Sequence, residues 1–148
     1  METTLSRPHT AARTAPQTTP AAPVSRGKLR TGRALSTLVV LFLLMDSGVK
    51  LVQAAPAVEA TAQLGYPGST VLPLGLLLLA CTVLYVVPRT AVLGAVLLTG
   101  YLGGAVASHV RVENPLFSHT LFPVYLGVLL WGGLDLRDAR VRALLPLR

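Results

Sequence analysis

The chain has 148 residues, which is enough for one domain. Apolar residues make up 52% of it and charged residues only 13%, about half the share typical of soluble domains. The net charge of +7 does not indicate a nucleic-acid-binding surface, because the basic residues stand at the ends of apolar segments instead of forming one face. The single cysteine, Cys81, excludes an internal disulfide, a CxxC redox pair and a thiolate metal cluster.

The N-terminal region, residues 1–33, is rich in Thr, Ala, Pro and Arg and has almost no large apolar side chains. Such a composition buries too little surface to fold, so we expect a disordered tail followed by a membrane domain over residues 34–148. The tail ends in a basic cluster from Arg26 to Arg33. We interpret this cluster as the positive charge that fixes membrane orientation, with a binding site for anionic lipid as the alternative.

Four apolar segments predict an all-α fold in which four transmembrane helices form an antiparallel bundle. The helices are expected at residues 34–53, 69–87, 90–110 and 120–136. A short surface helix is expected between Pro56 and Leu64. Pro88 and Arg89 leave room only for a tight turn, so the second and third spanning helices should form a hairpin.

The first apolar segment has a second interpretation, a signal peptide cleaved after Val52-Gln53-Ala54. The charged region before it is long for a signal peptide, and the stretch before the site contains both an acid and a base. N-terminal sequencing of the inserted protein distinguishes the two interpretations. A start at Ala55 would leave three spanning helices.

The distribution of basic residues predicts that both termini are cytoplasmic. Six basic residues precede the first helix, Arg89 lies in the second connection, and four follow the last helix. The opposite side holds only Arg111, while Lys50 lies within the first helix. Eleven basic residues against one is a strong bias for a multi-pass protein. Abundant Arg, Ala and Leu with only two Lys suggest a GC-rich bacterial genome.

The third helix has a row of small residues opposite a row of bulky ones. Gly100, Gly104 and Ser108 recur every four residues, and Leu98 and Leu102 begin the bulky row offset from them by two positions. Small residues let a neighbouring backbone approach closely, and bulky ones suit lipid. We therefore expect the small row to be a helix-packing face, within the chain or in a homodimer.

The outer end of the bundle collects the ionisable residues that could form a polar pocket: Asp46, Lys50, His109 and Glu113. Asp46, Lys50 and Gln53 are spaced to share one helical face. The simple interpretation is an ion pair with solvated neighbours at the membrane interface. The functional interpretation is an outward-facing pocket for a small ligand, a quinone head group or a proton, with His119 nearby in the hairpin.

Other site chemistries find little support in the sequence. His109 and His119 are too few to predict a metal site, so none is expected. No arrangement of serine, cysteine or carboxylate residues indicates a hydrolase, and no glycine-rich loop follows a strand to hold a nucleotide. We expect no cofactor, although a quinone stays possible. The question of an enzyme stays open, with no catalytic constellation recognisable.

A resemblance to a known family rests on several segments. The run Pro88-Arg89-Thr90 followed by LGAVLLTGYLGGAVASHVR, then FP, then LLWGGLDLRD, resembles the DoxX-like family of bacterial four-helix membrane proteins. The segment FLLMDSGVKL is similar to that family's first helix. The resemblance covers roughly residues 35–146 and implies a four-helix bundle in the plasma membrane. Relatives are associated with a thiosulfate:quinone oxidoreductase and with redox stress, but this chain has no cysteine pair or haem-ligand pattern that supports transferring that activity.

Three functional hypotheses follow for the chain. The first is a non-catalytic membrane subunit or interaction protein that contacts the lipid bilayer and a membrane partner protein or a second copy. The second is a quinone-linked or small-molecule-binding membrane protein that uses the outer polar pocket. The third is a small transporter, although no internal repeat or broken helix is evident.

Overall fold

The computed structural model describes residues 25–144, and its α-helices confirm the predicted all-α fold. We number the α-helices α1 to α6. They cover Arg26–Leu51, Ala55–Gln63, Val71–Val86, Ala91–Arg111, Phe122–Arg137 and Ala139–Leu144. Four of them, α1, α3, α4 and α5, are long and apolar enough, with their flanking turns, to cross a membrane. At about 1.5 Å per residue the 21 residues of α4 extend about 31 Å, the thickness of the hydrocarbon core.

The first helix begins earlier than the apolar pattern suggests. α1 starts at Arg26 instead of residue 34, because Ser25 accepts a hydrogen bond from the Lys28 amide at 3.4 Å and caps the helix. Residues between Arg26 and Arg33, expected to belong to the tail, are therefore helical. The rest of the expected tail, residues 1–24, lies outside the described part of the chain.

The surface helix expected after α1 is present as α2, with a proline in its first turn. A short 3-10 turn, Gly68–Thr70, then leads into α3. Gly65 makes the connection with a φ of 79°, a backbone conformation that glycine adopts without strain. This segment folds the chain back so that α3 can run antiparallel to α1.

The hairpin of α3 and α4 is as tight as Pro88 and Arg89 predict. Thr90 closes it by donating from its hydroxyl to the Leu84 carbonyl at 2.8 Å. Gly94 then passes directly against the backbone of Tyr85, with no room for a Cβ. The two helices can meet this closely because glycine has no side chain.

The last spanning segment begins with a single π-helical turn, Leu116–Thr120, before α5. Thr120 stabilises this turn by donating from its hydroxyl to the Asn114 carbonyl at 3.2 Å. The spanning segment therefore covers Leu116–Arg137, longer than the expected helix at residues 120–136. The added turn gives an apparently short segment the length needed to cross a bilayer.

The four spanning helices form a ring in the order α1, α3, α4, α5, with every neighbouring pair antiparallel. α1 and α4 therefore stand across the ring from each other, as do α3 and α5. Their inward side chains form one apolar core, built from Val39, Leu43, Leu78, Leu98 and Leu130 among others. Many other large apolar side chains are exposed on the outside, as expected for a surface that faces lipid.

Candidate functional site

The ion pair predicted on the first helix is present. Lys50 and Asp46 share one face of α1 and form a salt bridge, with Lys50 16% and Asp46 35% exposed. α3 packs closely against α1 at Lys50, since a Cβ added to Gly75 would lie 2.8 Å from the Lys50 Cβ. The pair thus faces protein on part of its surface, which is where charged groups within a span are usually found.

Gln53 does not share the face of this ion pair, contrary to the expectation from its spacing. α1 ends at Leu51, and Gln53 is exposed in the following turn with a φ of 48°. The helical spacing rule fails here because it applies only while the helix continues.

His109 belongs to a second polar group, at the last turn of α4. The side-chain amide of Asn114 donates to His109 Nδ1 at 2.8 Å, and the His119 ring centroid is 5.9 Å from that of His109. His119 in turn has its Nδ1 2.8 Å from the Ser118 hydroxyl. The structure therefore brings the two histidines together, while groups of three or more metal-ligating side chains are not found among residues 25–144.

Of the four residues expected in the polar pocket, Asp46 and Lys50 are paired with each other. His109 is in the last turn of α4, and α4 stands across the ring from α1. Glu113 is exposed in a left-handed turn with a φ of 56°. Within the described residues, no hydrogen bond or salt bridge connects Glu113 or His109 with the Asp46–Lys50 pair. None of the four lines the cavity between α4 and α5 or the cavity beside the start of α4.

The α2 segment covers the C-terminal end of α4 through two contacts that the sequence did not reveal. Arg111 donates to the Leu64 carbonyl and lies over the Tyr66 ring, 5.4 Å from its centroid. The Tyr66 hydroxyl is 2.8 Å from the Ser108 hydroxyl, which itself donates to the Gly104 carbonyl at 2.8 Å. Ser108 is buried by this cover, so its role in the structure is to hold the loop and not to face a helix of the bundle.

The glycine row of α4 does not pack inside the chain. Gly100 and Gly104 are exposed, and a Cβ added to either would meet no atom within 4 Å. The opposite row supplies the inward face instead, with Leu98 and Leu102 buried. This corrects the expectation of packing within the chain. The cause is that α4 meets α3 and α5 through the face that also contains Gly94, which leaves the glycine row on the outside.

A groove of about 600 Å³ runs between α4 and α5 beside that exposed row. Three of the residues that line it are glycines: Gly103, Gly127 and Gly132. Trp131 crosses it by donating from its indole nitrogen to the Thr99 hydroxyl at 2.9 Å. From Pro123 to Asp135 the groove follows α5 for about 18 Å, more than half the hydrocarbon thickness.

At the end of the bundle where α1 begins and α5 ends, a buried tyrosine joins three helices. The Tyr85 hydroxyl is 3.0 Å from the Ser36 hydroxyl and donates to the Leu130 carbonyl at 2.9 Å. Arg137 donates to the Tyr85 carbonyl at 3.2 Å and lies over its ring. Next to it, α1 and α5 make close contact, since a Cβ on Gly133 would lie 2.6 Å from the Ser36 hydroxyl oxygen. A tyrosine in an otherwise apolar helix was the only sequence signal for this network.

The comparisons with known proteins identify one family. Residues 34–133, about two thirds of the chain, match the family described as the DoxX-like family. No curated protein and no solved structure matches the chain.

Proposed function

The chain belongs to the DoxX-like family and is an integral membrane protein, and we propose that it acts as a non-catalytic membrane subunit that binds a transmembrane helix. The observation that carries the proposal is the groove between α4 and α5 together with the exposed glycine row beside it.

We further propose that the membrane is a bacterial plasma membrane and that both termini are cytoplasmic. The distribution of basic residues supports this orientation.

The contacts between helices within the chain support a transmembrane helix as the partner that binds in the groove. Where its helices meet closely, glycine stands at the contact: Gly94 between α4 and α3, and Gly32 and Gly133 between α1 and α5. In a membrane such contacts are driven by close packing of small residues, because lipid is as apolar as the side chains. Gly100 and Gly104 offer the same small surface with no helix of this chain against it.

A crosslinking experiment tests this proposal. A photoreactive amino acid at exposed Val128, on the wall of the groove, should form a protein–protein crosslink in membranes. A product of twice the chain mass identifies a second copy, and another mass identifies a partner subunit. Crosslinks to lipid alone would contradict the proposal.

Glycine-to-leucine variants test whether the groove itself carries the contact. Gly103→Leu fills the groove and should reduce the crosslink about tenfold, since one lost close contact in a pocket is worth roughly 1–3 kcal/mol. Gly48→Leu is the matched control, because Gly48 on α1 also has no atom within 4 Å of an added Cβ. Equal crosslinking in the two variants would refute the role of the groove.

A second candidate function rests on the Asp46–Lys50 pair, which is partly buried within an apolar helix. We propose as the alternative that a small polar ligand or a quinone head group binds there, with His109 and Glu113 at the outer entrance. Ionisable groups inside a span are unfavourable unless they pair or serve a function.

Binding of a short-chain quinone to the purified protein tests the alternative. Asp46→Asn and His109→Ala should each weaken binding several-fold while the amount of folded protein is unchanged. Glu59→Gln is the control, since Glu59 is exposed on α2. If the two variants only lower the protein level, the residues are structural and the alternative fails.

A further inference from the structure

A second cavity, of about 270 Å³, lies at the end of the bundle where α1 begins and α5 ends. The start of α1, the α3–α4 turn and the end of α5 meet there. Arg33, Ala91, Arg137 and Asp138 are among the residues that line it. Two guanidinium groups and one carboxylate give its wall an excess of positive charge.

Arg137 lines this cavity and has one side-chain hydrogen-bond donor without an acceptor. One of its terminal nitrogens donates to the Tyr85 carbonyl, and its guanidinium carbon is 4.8 Å from the Tyr85 ring centroid. Its Nε is shielded from solvent and has no acceptor, as is also true of two guanidinium nitrogens of Arg142 on α6. A shielded guanidinium donor without an acceptor is unfavourable, and a bound anion would supply the acceptor.

The N-terminus of α4 adds a second, independent set of donors. Ala91 is the first residue of α4, is buried, and lines the cavity. The preceding Thr90 does not cap the helix with its side chain, because its hydroxyl donates to the Leu84 carbonyl instead. The uncapped amides of a helix N-terminus carry partial positive charge and suit a phosphate group.

We propose that this cavity binds a phosphate group through Arg33, Arg137 and the first amides of α4. A phospholipid headgroup carries such a phosphate group, as does inorganic phosphate. The position at the end of a membrane bundle, beside the basic first turns of α1, fits a lipid from the adjacent leaflet.

Thermal unfolding of the full chain in detergent tests the proposal with three additions. Phosphatidylglycerol should raise the Tm, and an uncharged diacyl glycolipid with the same acyl chains should not. Inorganic phosphate at millimolar concentration should have no effect if a lipid is the source. If it raises the Tm as well, the cavity takes free phosphate. Equal responses to phosphatidylglycerol and the glycolipid would overturn the proposal.

Charge variants distinguish lipid binding in this cavity from general attraction between basic residues and anionic lipid. Arg33→Gln and Arg137→Lys should each weaken phosphatidylglycerol binding roughly tenfold, since each removes a charge-assisted hydrogen bond. Arg26→Gln, two helical turns before Arg33, removes the same charge outside the cavity and should leave binding within about twofold. Equal effects of Arg33→Gln and Arg26→Gln would overturn the proposal. Arg33 is exposed, so its variant decides the test even if Arg137→Lys does not fold.

Discussion

Tyr85 shows how one polar side chain can organise an apolar bundle. It is fully buried, yet its hydroxyl contacts α1 through Ser36 and α5 through the Leu130 carbonyl. In hydrocarbon such a hydroxyl has no water to bond, so the three helices must be arranged to receive it. The residue therefore selects one packing of α1, α3 and α5 among those that apolar contacts alone would allow.

We predict that Tyr85→Phe destabilises the folded protein by about 1–2 kcal/mol, because two hydrogen bonds are lost and their buried partners stay behind. The ring under Arg137 is kept, so the loss reports on the hydroxyl alone. Reversible unfolding in mixed micelles measures the difference. Tyr125→Phe is the control, since Tyr125 is exposed on α5, and its change should be within about 0.5 kcal/mol. Equal effects of the two variants would show that the Tyr85 hydroxyl contributes nothing specific.

At the residue scale, the sequence predicts those contacts that depend on helical spacing. Asp46 and Lys50 pair as expected because they are four positions apart in a helix that continues through both. The partner of His109 could not be predicted, because Asn114 reaches it through a turn whose backbone path is set by Glu113 at positive φ. No periodicity describes such a turn.

At the scale of the helices, the important distinction is between glycines that meet a neighbour and glycines that do not. A Cβ on Gly94 would lie 2.7 Å from the Leu84 carbonyl carbon, whereas one on Gly100 would meet nothing within 4 Å. Both glycines lie in α4, six residues apart. The sequence shows that α4 is rich in glycine, but only the arrangement of its neighbours decides which glycines are needed for packing.

We predict opposite effects for alanine at these two positions. Gly94→Ala should destabilise the monomer by about 1–3 kcal/mol, because the α3–α4 hairpin must open to admit a methyl group. Gly100→Ala should be neutral or stabilise it by up to about 1 kcal/mol, because alanine favours a helix over glycine and has open space here. Unfolding of the monomer in detergent measures both. Destabilisation by Gly100→Ala in the monomer would contradict the exposed position of the glycine row.

The helix boundaries divide into those that apolar length defines and those that caps define. Apolar length places the ends of α3 and α4 within two residues of the expectation. It misplaces the start of α1, because the residues after Ser25 are polar but have no proline and continue the helix. It also misses the turn from Leu116 to Thr120, since a π-helical turn has no distinct residue pattern.

For the whole molecule, the ring order of the helices decides which residues can meet. The sequence predicts four antiparallel spans from apolar length and short connections, and the structure agrees. It does not predict that α1 and α4 stand across the ring from each other. No hydrogen bond or ion pair within residues 25–144 joins Asp46 with His109, although both lie towards the same end of the bundle. Two residues on the same side of a membrane are therefore less certain to share a site than two residues on neighbouring helices.

We predict the orientation of the whole protein from its basic residues and test it by cysteine labelling. Cys81, the single cysteine, is buried and gives a low background. In intact cells an impermeant maleimide should label Glu113→Cys, whereas Arg30→Cys should react only after the cells are opened. Both positions are exposed, so accessibility to reagent does not differ between them. Labelling of Arg30→Cys in intact cells would reverse the orientation.

The hydrogen bond between Trp131 and Thr99 gives the molecule a spectroscopic signal of its own. Trp131 is the only tryptophan in the chain, so the intrinsic indole fluorescence comes from one position, and that position is the groove between α4 and α5. Indole emission shifts to shorter wavelength as its surroundings become drier and more rigid. Occupation of the groove can thus be followed in unlabelled protein, and Thr99→Val provides the reference spectrum without the hydrogen bond.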